Sequence, residues 1–284
     1  MGDRRVVHAG GIRTEYLEWG PRDAPVVFLL HDGMFGADAA TAFGSFAPLL
    51  ADNYRIIAPD LVGFGGSDKV VHFDRPPYAS RLQQIADVYR CLALSEPVHL
   101  LGSSFGGSVV LRALEGGSWH LPIASVVSVS GTGGPWRTSK STEGLLDYPE
   151  PDLKAMERLL RLVVDPFPGF DELVERRYHN TLRAGAFEAI AAMRVSNPAL
   201  TPRAREDAYP ATLEGVTTPV LLIAGERDEL LEPEWMHHLV SALDRCWTAT
   251  LDSSHSPNID QPEAAAQVVQ NFLTEVRVPE GTRG

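Results

Sequence analysis

The chain has 284 residues, of which 44% are hydrophobic and 22% charged, a composition ordinary for a folded globular protein. Its net charge is −12, with 25 Lys and Arg against 37 Asp and Glu and no basic cluster, which excludes nucleic acid as a partner because phosphates need cations gathered on one face. No stretch approaches the roughly 18 apolar residues of a membrane span. The opening MGDRRVVHAGG lacks the apolar run of a secretory leader, so a cytoplasmic protein without a membrane partner is expected. An anionic ligand would gain nothing from the overall field and would need a cation placed inside its site.

In chain order, residues 4–8 and 12–19 read as two strands around the hairpin doublet Gly10-Gly11. PVVFLLHDG is an apolar run of strand length that ends in a glycine-rich turn at Gly33 and Gly36, and RIIAPDL repeats the theme. From Ala79 to Leu94, the residues Leu82, Ile85, Ala86 and Tyr89 recur at helical intervals. PVHLLG then leads directly into the apolar helix SVVLRALEG. IASVVSVSG, PVLLIAGERD and CWTATL supply further strands, with helices expected at Glu234–Leu243 and Pro262–Val276. Strands alternating with helices imply an α/β fold built on a mostly parallel sheet.

Between Gly134 and about Val216 the strands stop. Pro151 opens a helix with Leu153, Met156, Leu159, Leu160 and Val163 on one face, ended by Asp165-Pro166. Two more helices are expected at Asp171–Leu182 and Ala186–Val195. The reading is a core of residues 1–134 and 216–284 with a helical cap at 135–215 and a disordered tail, VPEGTRG. Cys91 and Cys246 lie far apart in apolar surroundings and read as buried free thiols.

The strongest chemical signal is Gly102-Ser103-Ser104-Phe105-Gly106, between a buried strand and a helix, where a nucleophile elbow belongs. Glycines two positions either side of Ser104 permit the tight turn; a nucleophile at Ser103 would be flanked by Leu101 and Phe105, which crowd it. A serine hydroxyl needs a base, and the base an acid, in the chain order Ser, acid, His. Asp228 follows the strand PVLLIAG and His255 follows the next strand, in DSSHSPN. Glu226 and Glu229 are alternatives for the acid at less suitable spacing. Backbone donors for an oxyanion are expected from Phe105 and from Gly33, with Met34 the alternative to Gly33. His31 reads as structural.

Neither Gly131-Thr132-Gly133-Gly134 nor Gly63-Phe64-Gly65-Gly66 opens a helix, so neither supplies a dinucleotide site. The adjacent His237 and His238 lack the spacing of a metal-binding helix. No cofactor and no metal are expected.

These motifs resemble the α/β-hydrolase superfamily, and within it the meta-cleavage-product hydrolases, which cleave a carbon–carbon bond in 2-hydroxy-6-oxo-dienoates. HDGMFG, APDLVGFGGSD, GSSFGG, AGERD and the His255 loop carry the family, and the two segments LDYPEPDLKAMERLLRLVVD and ELVERRYHNTLRAGAFEAIAAM follow the subgroup's cap helices. The resemblance implies a serine hydrolase acting on a small, largely apolar carbonyl substrate. It also implies that Arg177, which precedes Tyr178 in a cap helix, binds the dienolate end of the substrate; the residues alone are equally consistent with a solvated charge. Three positions depart from the subgroup: Ser103 where Asn is usual, Ser256 where Trp follows the histidine, and Asp32 where a glycine follows the first histidine. Ser103 and Ser256 are therefore candidate substrate contacts. A carboxylesterase or lactonase is the alternative, a small-molecule receptor retaining the triad is an alternative of another class, and a homodimer is compatible with the sequence.

Overall fold

The computed structural model describes residues 2–117, 119–193 and 207–276. Eight strands, β1 (Asp3–Ala9), β2 (Ile12–Trp19), β3 (Val26–Leu30), β4 (Arg55–Pro59), β5 (Val98–Ser103), β6 (Ile123–Val129), β7 (Val220–Gly225) and β8 (Cys246–Leu251), form one sheet in the order β1-β2-β4-β3-β5-β6-β7-β8. Pairing is parallel from β4 through β8, and β2 runs antiparallel to both β1 and β4.

The strand period of two sorts the apolar side chains into two cores, one on each face of the sheet. Phe28, Leu30, Ile57, Leu100, Val126 and Leu222 belong to one. Val27, Leu29, Ile56, Leu101, Val127 and Ile223 belong to the other. Every residue of β5 and β7 is buried, which is why these strands read as unbroken apolar runs, whereas β1 and β8 alternate toward solvent as the two edges.

Helices Pro77–Cys91 and Pro262–Glu275 begin and end within three residues of the expected bounds, and β1 and β2 meet at Gly10-Gly11, both at positive φ. Between β6 and β7 lie the helices Leu153–Leu160, Phe170–Thr181 and Ala186–Ala192. The expected end of the last of these, at Val195, and the tail VPEGTRG lie outside the described residues. Among the described residues, four short α-helices were not legible in the sequence: Ala39–Phe43, Ala47–Leu50, Ser139–Thr142 and Pro257–Asp260. The cysteines need correction. Both are free, but Cys91 is exposed at the outward end of its helix, and only Cys246 is partly covered, with burial pushing its thiol up to about 12.

Candidate active site

All the candidate chemistry lies where strands of the parallel sheet run out into loops. β5 ends at Ser103, and Ser104 turns the chain into the helix Phe105–Ala113 with φ 55° and ψ −111°, a conformation that costs a non-glycine residue about 1–3 kcal/mol. Contacts with backbone atoms fix the residues around that turn. A Cβ on Gly102 would stand 2.1 Å from the Gly106 oxygen, and one on Gly106 would stand 2.0 Å from the Leu30 oxygen. The glycines thus let strand, helix and the neighbouring β3 loop approach closely enough to present the hydroxyl.

His255 Nε2 lies 2.8 Å from Ser104 Oγ, and its Nδ1 lies 2.7 Å from Asp228 Oδ2. Beside a carboxylate, the neutral ring keeps its proton on Nδ1 and leaves Nε2 free to accept from the serine. Asp228 Oδ1 accepts from the Leu230 amide at 2.9 Å, and both partners are almost wholly buried. Gly225 makes this convergence possible, because a Cβ there would sit 1.7 Å from the Ser254 oxygen, in the path of the histidine loop. Glu229 points elsewhere and pairs with Lys140.

The turn after β3 stands opposite. Gly33 packs against Phe105, so close that a Cβ on Gly33 would come within 2.9 Å of the Phe105 Cβ, so the two residues expected to supply donor amides are neighbours. The Met34 amide instead donates to Asp32 Oδ1 at 3.1 Å. His31 is fully buried, with Nδ1 2.7 Å from the Asp32 carbonyl and Nε2 accepting from the Leu61 amide at 2.9 Å. Burial keeps it neutral by lowering its pKa, so it ties the β3 loop to the β4 loop.

Ser104, His255 and Ser256 all line a cavity of about 510 Å3, inside the ~300–1,000 Å3 typical of small-molecule sites. Phe35, Phe64, Val163, Ile190 and Leu231 make much of the wall apolar. Ser103 is not on it: fully buried, it donates to Asn258 Oδ1 at 2.9 Å. Arg177 is not on it either. This arginine is 0% exposed and grips Asp32 with both terminal nitrogens, Nη1 to Oδ1 at 2.8 Å and Nη2 to Oδ2 at 2.7 Å. Asp32 does border the cavity, and burial alone would raise its pKa, but the Arg177 charge and hydrogen bonds outweigh this and hold the carboxyl below its ordinary range.

Two residues escaped the sequence reading. Asn258 takes the Ser103 hydroxyl on its oxygen and donates through Nδ2 to the Ala42 carbonyl at 2.9 Å, joining the elbow to the segment that carries His255. The only hint was a polar residue three positions beyond that histidine. Arg81, also buried, lies 5.6 Å over the Phe105 ring and hydrogen-bonds Val62 and Ser80.

The profile of the Alpha/beta hydrolase family matches residues 26–268. The chain belongs to that family. It is a hydrolase, and it resembles a 2-hydroxy-6-oxononadienedioate/2-hydroxy-6-oxononatrienedioate hydrolase of Cupriavidus pinatubonensis, with 32% identity over 88% of this chain and 87% of the relative. A 2-hydroxy-6-oxo-6-(2'-aminophenyl)hexa-2,4-dienoic acid hydrolase of Metapseudomonas resinovorans is 24% identical over 95% of this chain and 90% of its own length. Among solved structures, the 2-hydroxy-6-oxo-6-phenylhexa-2,4-dienoate hydrolase of Rhodococcus sp. strain RHA1 superposes with a TM-score of 0.82 at 24% identity, covering 96% of this chain and 99% of that one. At that identity the superposition speaks for the fold.

Proposed function

We propose that this hydrolase uses Ser104 as its nucleophile, His255 as general base and acid, and Asp228 to orient and stabilise the imidazole, on a small, largely apolar substrate that presents a carbonyl. The observation that carries the reading is the chain of two short contacts from Ser104 through His255 to Asp228. His255 takes the serine proton as Oγ adds to the carbonyl carbon, and the amides of Gly33 and Phe105 stabilise the oxyanion. The described part of the insertion between β6 and β7 acts as a cap, with Leu145, Leu146, Val163, Ile190 and Met193 closing the apolar cavity over the reacting centre.

The relatives' activities favour carbon–carbon bond hydrolysis of a 2-hydroxy-6-oxo-dienoate-like ring-fission product. In that reaction the dienol first becomes a ketone. Attack on the distal carbonyl then breaks the adjacent carbon–carbon bond, the electron pair leaves with the enol fragment, and water releases the other fragment as a carboxylic acid.

The Asp32–Arg177 pair favours a second reading, hydrolysis of an ester or lactone, because the charge that the resemblance assigns to a dienolate is already satisfied within the protein. Offering a dienoate and a nitrophenyl ester side by side separates them. Turnover of the dienoate at a kcat/KM at least equal to that of the ester supports the first reading, and turnover of the ester alone removes it.

A further inference from the structure

Among the described residues that line the cavity, Arg137 is the one lysine or arginine. Its backbone is firmly mounted. Arg137 bridges Leu231, while the Thr138 amide donates to Leu230 at 2.9 Å and the Glu232 amide to Trp136 at 3.0 Å, so a short ribbon fixes it to the loop just beyond Asp228. Trp136 stacks on His238 with centroids 4.7 Å apart and planes 8° from parallel, which anchors the ribbon's other side. Tyr78 also lines the cavity and stacks on Phe105 at 5.7 Å, beside the nucleophile.

Neither the Arg137 guanidinium nor the Tyr78 hydroxyl has a hydrogen-bond or ion-pair partner among the described residues. Arg177, by contrast, is cancelled by Asp32 and lies off the cavity surface. In a protein of net charge −12 the overall field does not draw an anionic substrate in, so a local cation is what would hold its charge. We infer that Arg137, exposed at the cavity rim, forms with the Tyr78 hydroxyl a carboxylate-binding subsite at the mouth of the cavity, so that the substrate carries an anionic group. The inference rests on Ser104 being the nucleophile of the same cavity and adds the charge of what it attacks.

The test compares nitrophenyl monoesters of straight-chain diacids, from succinate to suberate, with the uncharged nitrophenyl esters of equal length. Charge-assisted hydrogen bonds predict that at one chain length the wild type prefers the acid by about tenfold in kcat/KM, expressed in KM. Arg137→Gln should bring that ratio close to one, Arg137→Lys should restore part of it, and Tyr78→Phe should lower it to an intermediate value. A wild type with no preference at any length, or an Arg137→Gln protein that keeps the preference, overturns the subsite. If neither ester is turned over, the nucleophile reading fails separately, and equilibrium binding of monomethyl adipate against dimethyl adipate decides the subsite. Tighter binding of the acid that is lost in Arg137→Gln supports it, and equal binding of the two overturns it.

Discussion

Arg177 and Asp32 are locked in a two-pronged ion pair that connects the helix Phe170–Thr181 to the turn following β3, with contacts of 2.8 and 2.7 Å. Gly36 lets the two elements meet, since a Cβ there would stand 2.0 Å from the Arg177 oxygen. Breaking a buried pair by removing one partner leaves an uncompensated charge, and Asp32→Gly should therefore lose about 3–5 kcal/mol of stability. The double variant Asp32→Gly/Arg177→Met should recover a large part of that loss. Urea unfolding of wild type and the two variants measures both. Equal stability of Asp32→Gly and wild type would mean that the pair is not buried in solution.

Gly225→Ala tests the path of the histidine loop. A methyl group 1.7 Å from the Ser254 oxygen forces that loop outward and takes His255 away from Ser104. A displacement of about 1 Å from the reacting geometry can cost on the order of a hundredfold, so kcat should fall by at least that factor. The measurement is kcat alongside a circular dichroism spectrum that remains folded.

Asn258→Ala should affect the same alignment from behind. It orphans the buried Ser103 hydroxyl and the Ala42 carbonyl, at about 1–3 kcal/mol for each unsatisfied group. Because Asn258 acts by holding the elbow against the histidine segment, the loss should appear in kcat more than in KM. Steady-state kinetics with one ester separates the two.

Asp60 gives the stability a pH signature. Burial, then the Asp38 charge, push its carboxyl up to about 6, against the opposing Ala39 and Gly66 amides. Its folded pKa stands above its unfolded one, so between about pH 4 and 6 the folded state binds more protons, and this group's contribution grows as the pH falls through that window. Asp32 has the opposite sign: with a depressed folded pKa, its stabilisation is complete above about pH 4 and is lost at lower pH. Urea midpoints from pH 7 to 5 should therefore rise for wild type relative to Asp60→Asn. A constant difference would exclude the titration.

The buried strands and the glycine-flanked serine were legible because their causes are local: apolar runs of strand length, and glycines two residues either side of Ser104. The placement of Asp228 and His255 could also be argued from chain order. What the sequence could not reveal depended on partners distant along the chain. Arg177 looks the same whether it faces a ligand or Asp32, which is 145 residues away. Ser103 looks like a pocket residue until Asn258, 155 residues on, takes its hydroxyl. The short helix Ala39–Phe43 is defined by a capping box between Asp38 and Thr41 rather than by an apolar period, so periodicity passes over it.

The central claim, that Ser104 is activated through His255, is tested most directly by a fluorophosphonate probe and mass spectrometry of the labelled peptide. One phosphonyl group on Ser104 in the wild type, with labelling reduced at least a hundredfold in His255→Ala, is the predicted result. Label on another residue, or labelling of Ser104 at the wild-type rate in His255→Ala, would contradict it.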